Sequence, residues 1–333
     1  MQRALRSALN MPALAIMGVA IPALFFAGTI RAADAPVVVT SIKPIHSLVS
    51  AIMQGVGEPE LIVDGAASPH TYNLKPSNAR ALQNAKVIFW VGPGLEAFLE
   101  KPLQALGSDA SVVELDNAPG LTKLPFREGG AFEPHDDGDA AEHETASADG
   151  HDHAPDDHDH GAFDTHLWLD PMNAKAMATM ITTTLVAADP ANALTYQGNA
   201  KALDDRLDSL DAEIRGIVAP VKDKPFIVFH DAYQYFEHRY GIRVAGSITV
   251  SPETIPGAER VSEIHSKVGQ LGATCVFAEP QFEPRLVDVV IEGTRARSGV
   301  LDPEAATLKA GPDLYFTLMR GIANSMKGCL SGA

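Results

Sequence analysis

Long hydrophobic runs are scarce in this 333-residue sequence. The one long run, at about residues 8–27, follows two arginines and precedes a stretch of small residues, which is the layout of a secretory signal peptide. A transmembrane anchor is the alternative, but Pro12 and Pro22 interrupt the run and leave its apolar core short. We therefore predict that residues 1–33 are a signal peptide and that the mature protein is exported and soluble.

Cysteine is almost absent, with only Cys275 and Cys329 in the chain. Two thiols so far apart are too few and wrongly spaced for a cysteine-based zinc knuckle. In an oxidising compartment two cysteines pair by default, so we expect a disulfide that fastens the C-terminus; two separate thiols are the alternative. In the chain-entropy picture a loop of this length contributes roughly 4 kcal/mol.

Basic residues are also few, since 26 Lys and Arg stand against 42 Asp and Glu. A net charge of −16 would repel nucleic acid, so we expect no nucleic-acid partner. Segment 128–164 alone holds thirteen acidic residues and no Lys or Arg. The excess negative charge is therefore concentrated in one segment.

The rest of the chain alternates between short apolar runs, typical of buried strands, and helix-like stretches. The predicted strands are VVVTSI (37–42), ELIVD (60–64), KVIFWVG (86–92) and SVVEL (111–115) in the first half, and FIVFHD (226–231), IRVAGSITV (242–250), TCVFAEP (274–280) and GVLD (299–302) in the second. A long helix is predicted between the two sets, because apolar residues recur at steps of four and three at Leu203, Leu207, Leu210, Ile214 and Ile217.

This order predicts an α/β fold of two β/α lobes, with parallel-rich sheets, joined by a long helix. We expect the N-terminal lobe at 36–188, the linker helix at 189–220 and the C-terminal lobe at 221–333. Segment 128–164 is too polar and charged to offset its ordering entropy. We predict that it forms a mobile surface loop on the N-terminal lobe.

Four polar side chains lie at or just after predicted strand ends or the end of the acidic segment: His70, His166, His230 and Glu279. In open α/β sheets ligands bind beyond the carboxyl ends of strands, so a cleft between the lobes is where these residues would meet. Three imidazoles with one oxygen ligand suit zinc, whereas manganese prefers more carboxylate ligands.

The chain also contains, in this order, ASPHTYNLKPSNARALQNAKVIFWVGPGLEAFL, THLWLDP, FHDAYQYFEHRYG, SPETIPGAERVSEI and TCVFAEPQF. Together these stretches resemble the zinc-uptake solute-binding proteins of bacterial ABC importers, and the likeness covers nearly all of the chain after the signal peptide. The resemblance implies two β/α lobes joined by a rigid helix, with a metal cleft between the lobes. It also implies a periplasmic protein that carries Zn²⁺ in this cleft and docks on a membrane permease with a cytoplasmic ATPase. The family disulfide matches Cys275 and Cys329. We expect a monomer.

The resemblance implies that the three histidine ligands of the family match His70, His166 and His230. Some relatives have a glutamate immediately before the first of these, where this sequence has Pro69, which cannot bind a metal. Related manganese-binding proteins use a carboxylate from the position that Glu279 resembles. We therefore expect Glu279 or a water molecule as the fourth ligand, with Glu279 preferred.

The acidic segment includes GHDHAPDDHDHG (150–161) and six histidines: His135, His143, His151, His153, His158 and His160. We interpret these histidines as an accessory site that collects zinc weakly and raises its concentration beside the cleft. A solvated acidic linker is the alternative.

Two other functions fit parts of the pattern. A secreted zinc-dependent hydrolase would also use three histidines and one open position, with Glu279 as general base, although the sequence has no HExxH motif. A zinc buffer or chaperone without a permease is favoured by the histidine-rich segment alone. We predict a zinc-delivery protein that is not an enzyme.

Overall fold

A computed structural model of the chain describes residues 35–127, 132, 163–249, 256–272, 275–282 and 285–332. The predicted signal peptide lies outside the described residues, and so do the six histidines of the acidic segment: His135, His143, His151, His153, His158 and His160. In the part of the chain that is described, no helix combines the length and the apolar character needed to cross a membrane.

Four parallel strands form the first sheet, in the order β2-β1-β3-β4. The strands are β1 (Val38–Thr40), β2 (Glu60–Leu61), β3 (Val87–Trp90) and β4 (Ser111–Glu114). Every residue of β1 and β3 is buried, because helices cover both faces of a parallel sheet. All of these residues are apolar except Thr40, whose hydroxyl donates to the Glu60 carbonyl.

The second sheet repeats this topology, with the order β6-β5-β7-β8 and all pairs parallel. Its strands are β5 (Phe226–His230), β6 (Val244–Thr249), β7 (Cys275–Ala278) and β8 (Arg297–Val300). Two α/β lobes with parallel sheets are therefore present, which confirms the predicted fold class.

The helices surround these sheets. They are α1 (Lys43–Ile52), α2 (Pro76–Asn84), α3 (Glu100–Leu106), α4 (Pro171–Ala188), α5 (Ala193–Val218), α6 (Gln234–Tyr240), α7 (Ala258–Leu271), α8 (Arg285–Ile291) and α9 (Leu314–Ser331). Proline occupies the first turn of α1, α2 and α4, where its missing N–H costs no hydrogen bond. Asp170 also caps α4, since its side chain accepts from the Met172 N–H.

The predicted long helix is α5, whose 26 residues span about 39 Å. Its buried face consists of Tyr196, Leu203, Leu207, Leu210, Ile214 and Val218. Ile217 is only partly buried, so Val218 takes the last core position that the spacing had assigned to Ile217. The helix packs against α1, α4 and α9, and one apolar cluster runs through the helices of both lobes.

Polar contacts also tie the lobes together. The buried Lys43 ammonium donates to the carbonyl oxygens of Ala305, Ala306 and Leu308 at 2.9–3.1 Å. The predicted disulfide is present and joins Cys275 on β7 to Cys329 on α9. Since α9 packs on the helices of the N-terminal half, this bond ties the second sheet to the apolar cluster that both lobes share.

Candidate metal centre

Each of the three predicted histidines is positioned by a different element. His70 lies in a 3₁₀ turn at Pro69–Thr71, where Ser68 Oγ accepts from the His70 N–H. His166 immediately precedes the turn Leu167–Leu169, whose residues are all fully buried. His230 is the last residue of β5, at the carboxyl end of the second sheet.

The three imidazoles converge through their Nε2 atoms. The Nε2 atom of His166 lies 3.4 Å from that of His70 and 3.3 Å from that of His230. Nitrogen ligands of a tetrahedral zinc ion stand about 3.3 Å apart, given Zn–N bonds near 2.0–2.1 Å. The spacing therefore suits one small cation. Among the described residues, no other group of three His, Cys, Asp or Glu side chains comes as close together.

Glu279 lies behind His230. Its carboxylate accepts a hydrogen bond from Nδ1 of His230, with both oxygens within 2.7–2.8 Å of that nitrogen, and it also receives the His230 backbone N–H at 3.3 Å. Because Nδ1 and Nε2 point away from opposite sides of the ring, this carboxylate faces away from the point where the three Nε2 atoms meet. Glu279, which was expected as the fourth metal ligand, is therefore the hydrogen-bond partner of His230 in the structure.

Asp164 makes the same contact with His166. Its Oδ1 atom lies 2.7 Å from Nδ1 and 3.0 Å from the backbone nitrogen of His166. Both Asp164 and Glu279 are almost fully buried, at 2% and 3% exposure. Sequence reasoning counted Asp164 among the acids of the loop and missed this role. Its spacing could have indicated the role, because an aspartate two residues before a histidine can accept from the backbone N–H and from Nδ1 of that histidine.

These carboxylates decide which nitrogen is free to bind a metal. A carboxylate that accepts from Nδ1–H fixes the tautomer with its lone pair on Nε2 and makes that nitrogen more basic. Burial by itself would lower the pKa of His230, yet the charge and hydrogen bond of Glu279 raise it above its usual value. The site can therefore present aligned imidazole ligands without a carboxylate among the converging atoms.

Residues 38–329 match the family described as ZnuA, zinc-uptake complex component A, periplasmic. The high-affinity zinc uptake system protein ZnuA of Brucella suis biovar 1 is 57% identical over 317 residues, covering 92% of this chain and 95% of that protein. The chain belongs to the ZnuA family. The ZnuA protein of Yersinia pestis is 37% identical, over 92% of this chain and 95% of its own length.

Solved structures share the fold of this ZnuA family member. A crystal structure of ZnuA superposes with a TM-score of 0.70 at 23% identity, covering 89% of this chain and 99% of that one. The periplasmic zinc-binding protein TroA from Treponema pallidum gives a TM-score of 0.72 at 22% identity, with the same coverage. The family match confirms the resemblance inferred from the sequence motifs, and the family is one of zinc-uptake components.

Proposed function

We propose that the protein is a periplasmic high-affinity zinc-binding protein that captures Zn²⁺ and delivers it to the membrane permease of an ABC importer. The observation that carries the proposal is the convergence of three imidazole Nε2 atoms at the spacing of zinc ligands. Membership of the ZnuA family supplies the transport role.

The proposed ligands are Nε2 of His70, His166 and His230, with a water molecule in the fourth position. Glu279 was the preferred fourth ligand from the sequence, but its contact with His230 Nδ1 favours a supporting role. Nitrogen ligands without a carboxylate suit zinc better than manganese. In this assignment Zn²⁺ is cargo, and the protein holds it without changing it.

The same contacts favour binding over catalysis. A hydrolase needs a general base within reach of the metal-bound water. Asp164 and Glu279 contact two of the imidazoles, and each carboxylate accepts from Nδ1, on the side of the ring away from Nε2. We propose that neither serves as a base and that the site has no turnover.

Export and docking complete the proposal. Residues 1–33 would direct the chain to the periplasm and be removed there, and the mature protein would act as a monomer until it meets the permease. The histidines of the acidic segment remain a predicted accessory zinc collector.

Zinc titration tests the proposal. A variant that lacks residues 132–162 removes competing histidines, so it should bind one equivalent of Zn²⁺, measured by competition with a chelator of known affinity. Adding alanine at His70, His166 and His230 should abolish this binding. One equivalent retained at unchanged affinity would contradict the assignment. Hydrolysis of a generic ester, peptide or phosphate substrate that disappears in His230→Ala would favour the hydrolase instead.

A further inference from the structure

One of the proposed metal-binding histidines, His166, is held in place by a contact from the C-terminal lobe. The hydroxyl of Tyr235, on α6, donates to the backbone carbonyl of Asp164 at 2.6 Å and accepts the Leu124 N–H at 3.1 Å. Asp164 in turn receives both Nδ1 and the backbone N–H of His166. A chain of hydrogen bonds therefore runs from α6 through Asp164 to the imidazole of His166.

This chain of contacts is shielded from water. Tyr235 has no exposed surface, and Asp164 and His166 are 2% and 5% exposed. Burial raises the pKa of Tyr235 well above its usual value, so the hydroxyl stays protonated and keeps donating. A buried hydroxyl that both donates and accepts fixes two backbone groups at once.

The same stretch of the C-terminal lobe carries His230, five residues before Tyr235. Further contacts fasten the segment around residues 124–127 to it. The Arg127 guanidinium donates to Asp231 and Glu237, and the Gln234 amide donates to the Pro125 carbonyl at 3.0 Å. Residues 230–237 thus supply one imidazole and hold residues 124–127. Through Tyr235 they also contact Asp164, whose backbone N–H in turn donates to the Leu124 carbonyl, in the segment that supplies the second imidazole.

We infer that Tyr235 is a positioning residue for the metal site, which holds Asp164 so that the imidazole of His166 is aligned with that of His230 before metal binds. The inference rests on the proposed function. It predicts that removing the hydroxyl weakens zinc binding although every ligand remains. Partners that orient a metal-bound histidine typically contribute 10- to 100-fold in metal affinity. Tyr235 contacts Asp164 rather than the histidine itself, so we expect about a tenfold loss of zinc affinity.

Tyr196 supplies a matched control. It is also fully buried, and its hydroxyl donates to Asp189 at 2.8 Å, away from the histidines and their carboxylates. Tyr235→Phe and Tyr196→Phe each remove one buried hydroxyl hydrogen bond. Both should lower the urea midpoint of the metal-free protein, whereas only Tyr235→Phe should lower zinc affinity in chelator competition. Only Tyr235→Phe should change the visible absorption of the Co²⁺-loaded protein, which reports ligand geometry.

Equal zinc affinity and equal Co²⁺ spectra for the two phenylalanine variants would overturn the positioning role. Asp164→Ala gives a second test that leaves Tyr235 in place and covers the case in which Tyr235→Phe does not fold. It removes the direct partner of the imidazole and should lose more affinity than Tyr235→Phe; wild-type affinity would contradict the inference. His230→Ala, titrated alongside, separates the two questions, because undiminished zinc binding in that variant refutes the proposed function itself.

Discussion

Replacing Glu279 with glutamine distinguishes a supporting residue from a ligand. The carboxylate lies 2.7–2.8 Å from Nδ1 of His230 and is 3% exposed. Glutamine is nearly isosteric, and its amide oxygen can still accept from Nδ1–H. The substitution therefore keeps the orientation of the ring but removes the negative charge that makes Nε2 a stronger donor to the metal.

The expected loss is moderate. Removing an outer partner of a zinc-bound histidine costs about 10- to 100-fold in affinity, which corresponds to about 1.4–2.8 kcal/mol. Since glutamine retains one hydrogen bond, Glu279→Gln should fall near the lower end of that range. His230→Ala removes a ligand outright and should lose far more affinity.

Competition with a chelator of known zinc affinity measures both variants in the background that lacks residues 132–162. Glu292→Gln is the matched control, because Glu292 is an exposed glutamate of the same lobe and should leave affinity unchanged. X-ray absorption at the zinc edge should show the same number of nearest neighbours in Glu279→Gln as in wild type. A loss as large as that of His230→Ala, together with one oxygen neighbour fewer, would refute the reasoning and make Glu279 a ligand.

Three other predictions concern stability. Burial raises the pKa of Glu96 to about 7; a carboxyl whose pKa is higher when folded stabilises the protein below pH 4.5 and loses that contribution as the pH rises through 7. Between pH 4.5 and 8, wild type should therefore lose about 3 kcal/mol of unfolding free energy relative to Glu96→Gln, and urea curves of equal pH dependence would contradict this. Reducing the Cys275–Cys329 disulfide, which closes a separation of 54 residues, should cost about 4 kcal/mol in urea unfolding; serine at both positions should reproduce the loss, and an unchanged midpoint would count against it. Lys43→Met leaves three carbonyls between the lobes without their charged donor and should lower the free energy of unfolding by about 2–3 kcal/mol, measured by the same method; an unaltered value would show that the contact is dispensable.

The central strands of the two sheets were predictable because they are buried on both faces and consist almost entirely of apolar residues. The ends of the strands were not. Strand β2 has only Glu60 and Leu61 where five residues were predicted, and β8 begins at Arg297 rather than at Gly299. Pairing sets these ends, since a strand extends only as far as its neighbour offers N–H and C=O groups, and the sequence of one strand does not reveal that length.

Part of the metal site was also predictable from the sequence, and part was not. The resemblance and the strand ends predicted His70, His166 and His230, and the structure brings these three together. Neither could show the side of an imidazole from which a carboxylate approaches, so Glu279 was expected among the ligands and Asp164 was overlooked. Tyr235 was missed for a further reason: it acts on the backbone of Asp164, and no residue pattern encodes a contact with a carbonyl that every residue possesses.

The way in which the lobes are joined limits how the metal can leave. A wide separation of the lobes would expose the apolar cluster that α1, α4, α5 and α9 share, at about 25 cal/mol for each Å² of apolar surface. It would also break the hydrogen bonds of Trp168 to the Pro303 carbonyl and of Tyr315 to the Trp168 carbonyl. His166 and His230 are buried, whereas His70 lies on a short turn and is partly exposed. We therefore expect zinc exchange to proceed by local movement of the turn that carries His70 rather than by opening of the lobes.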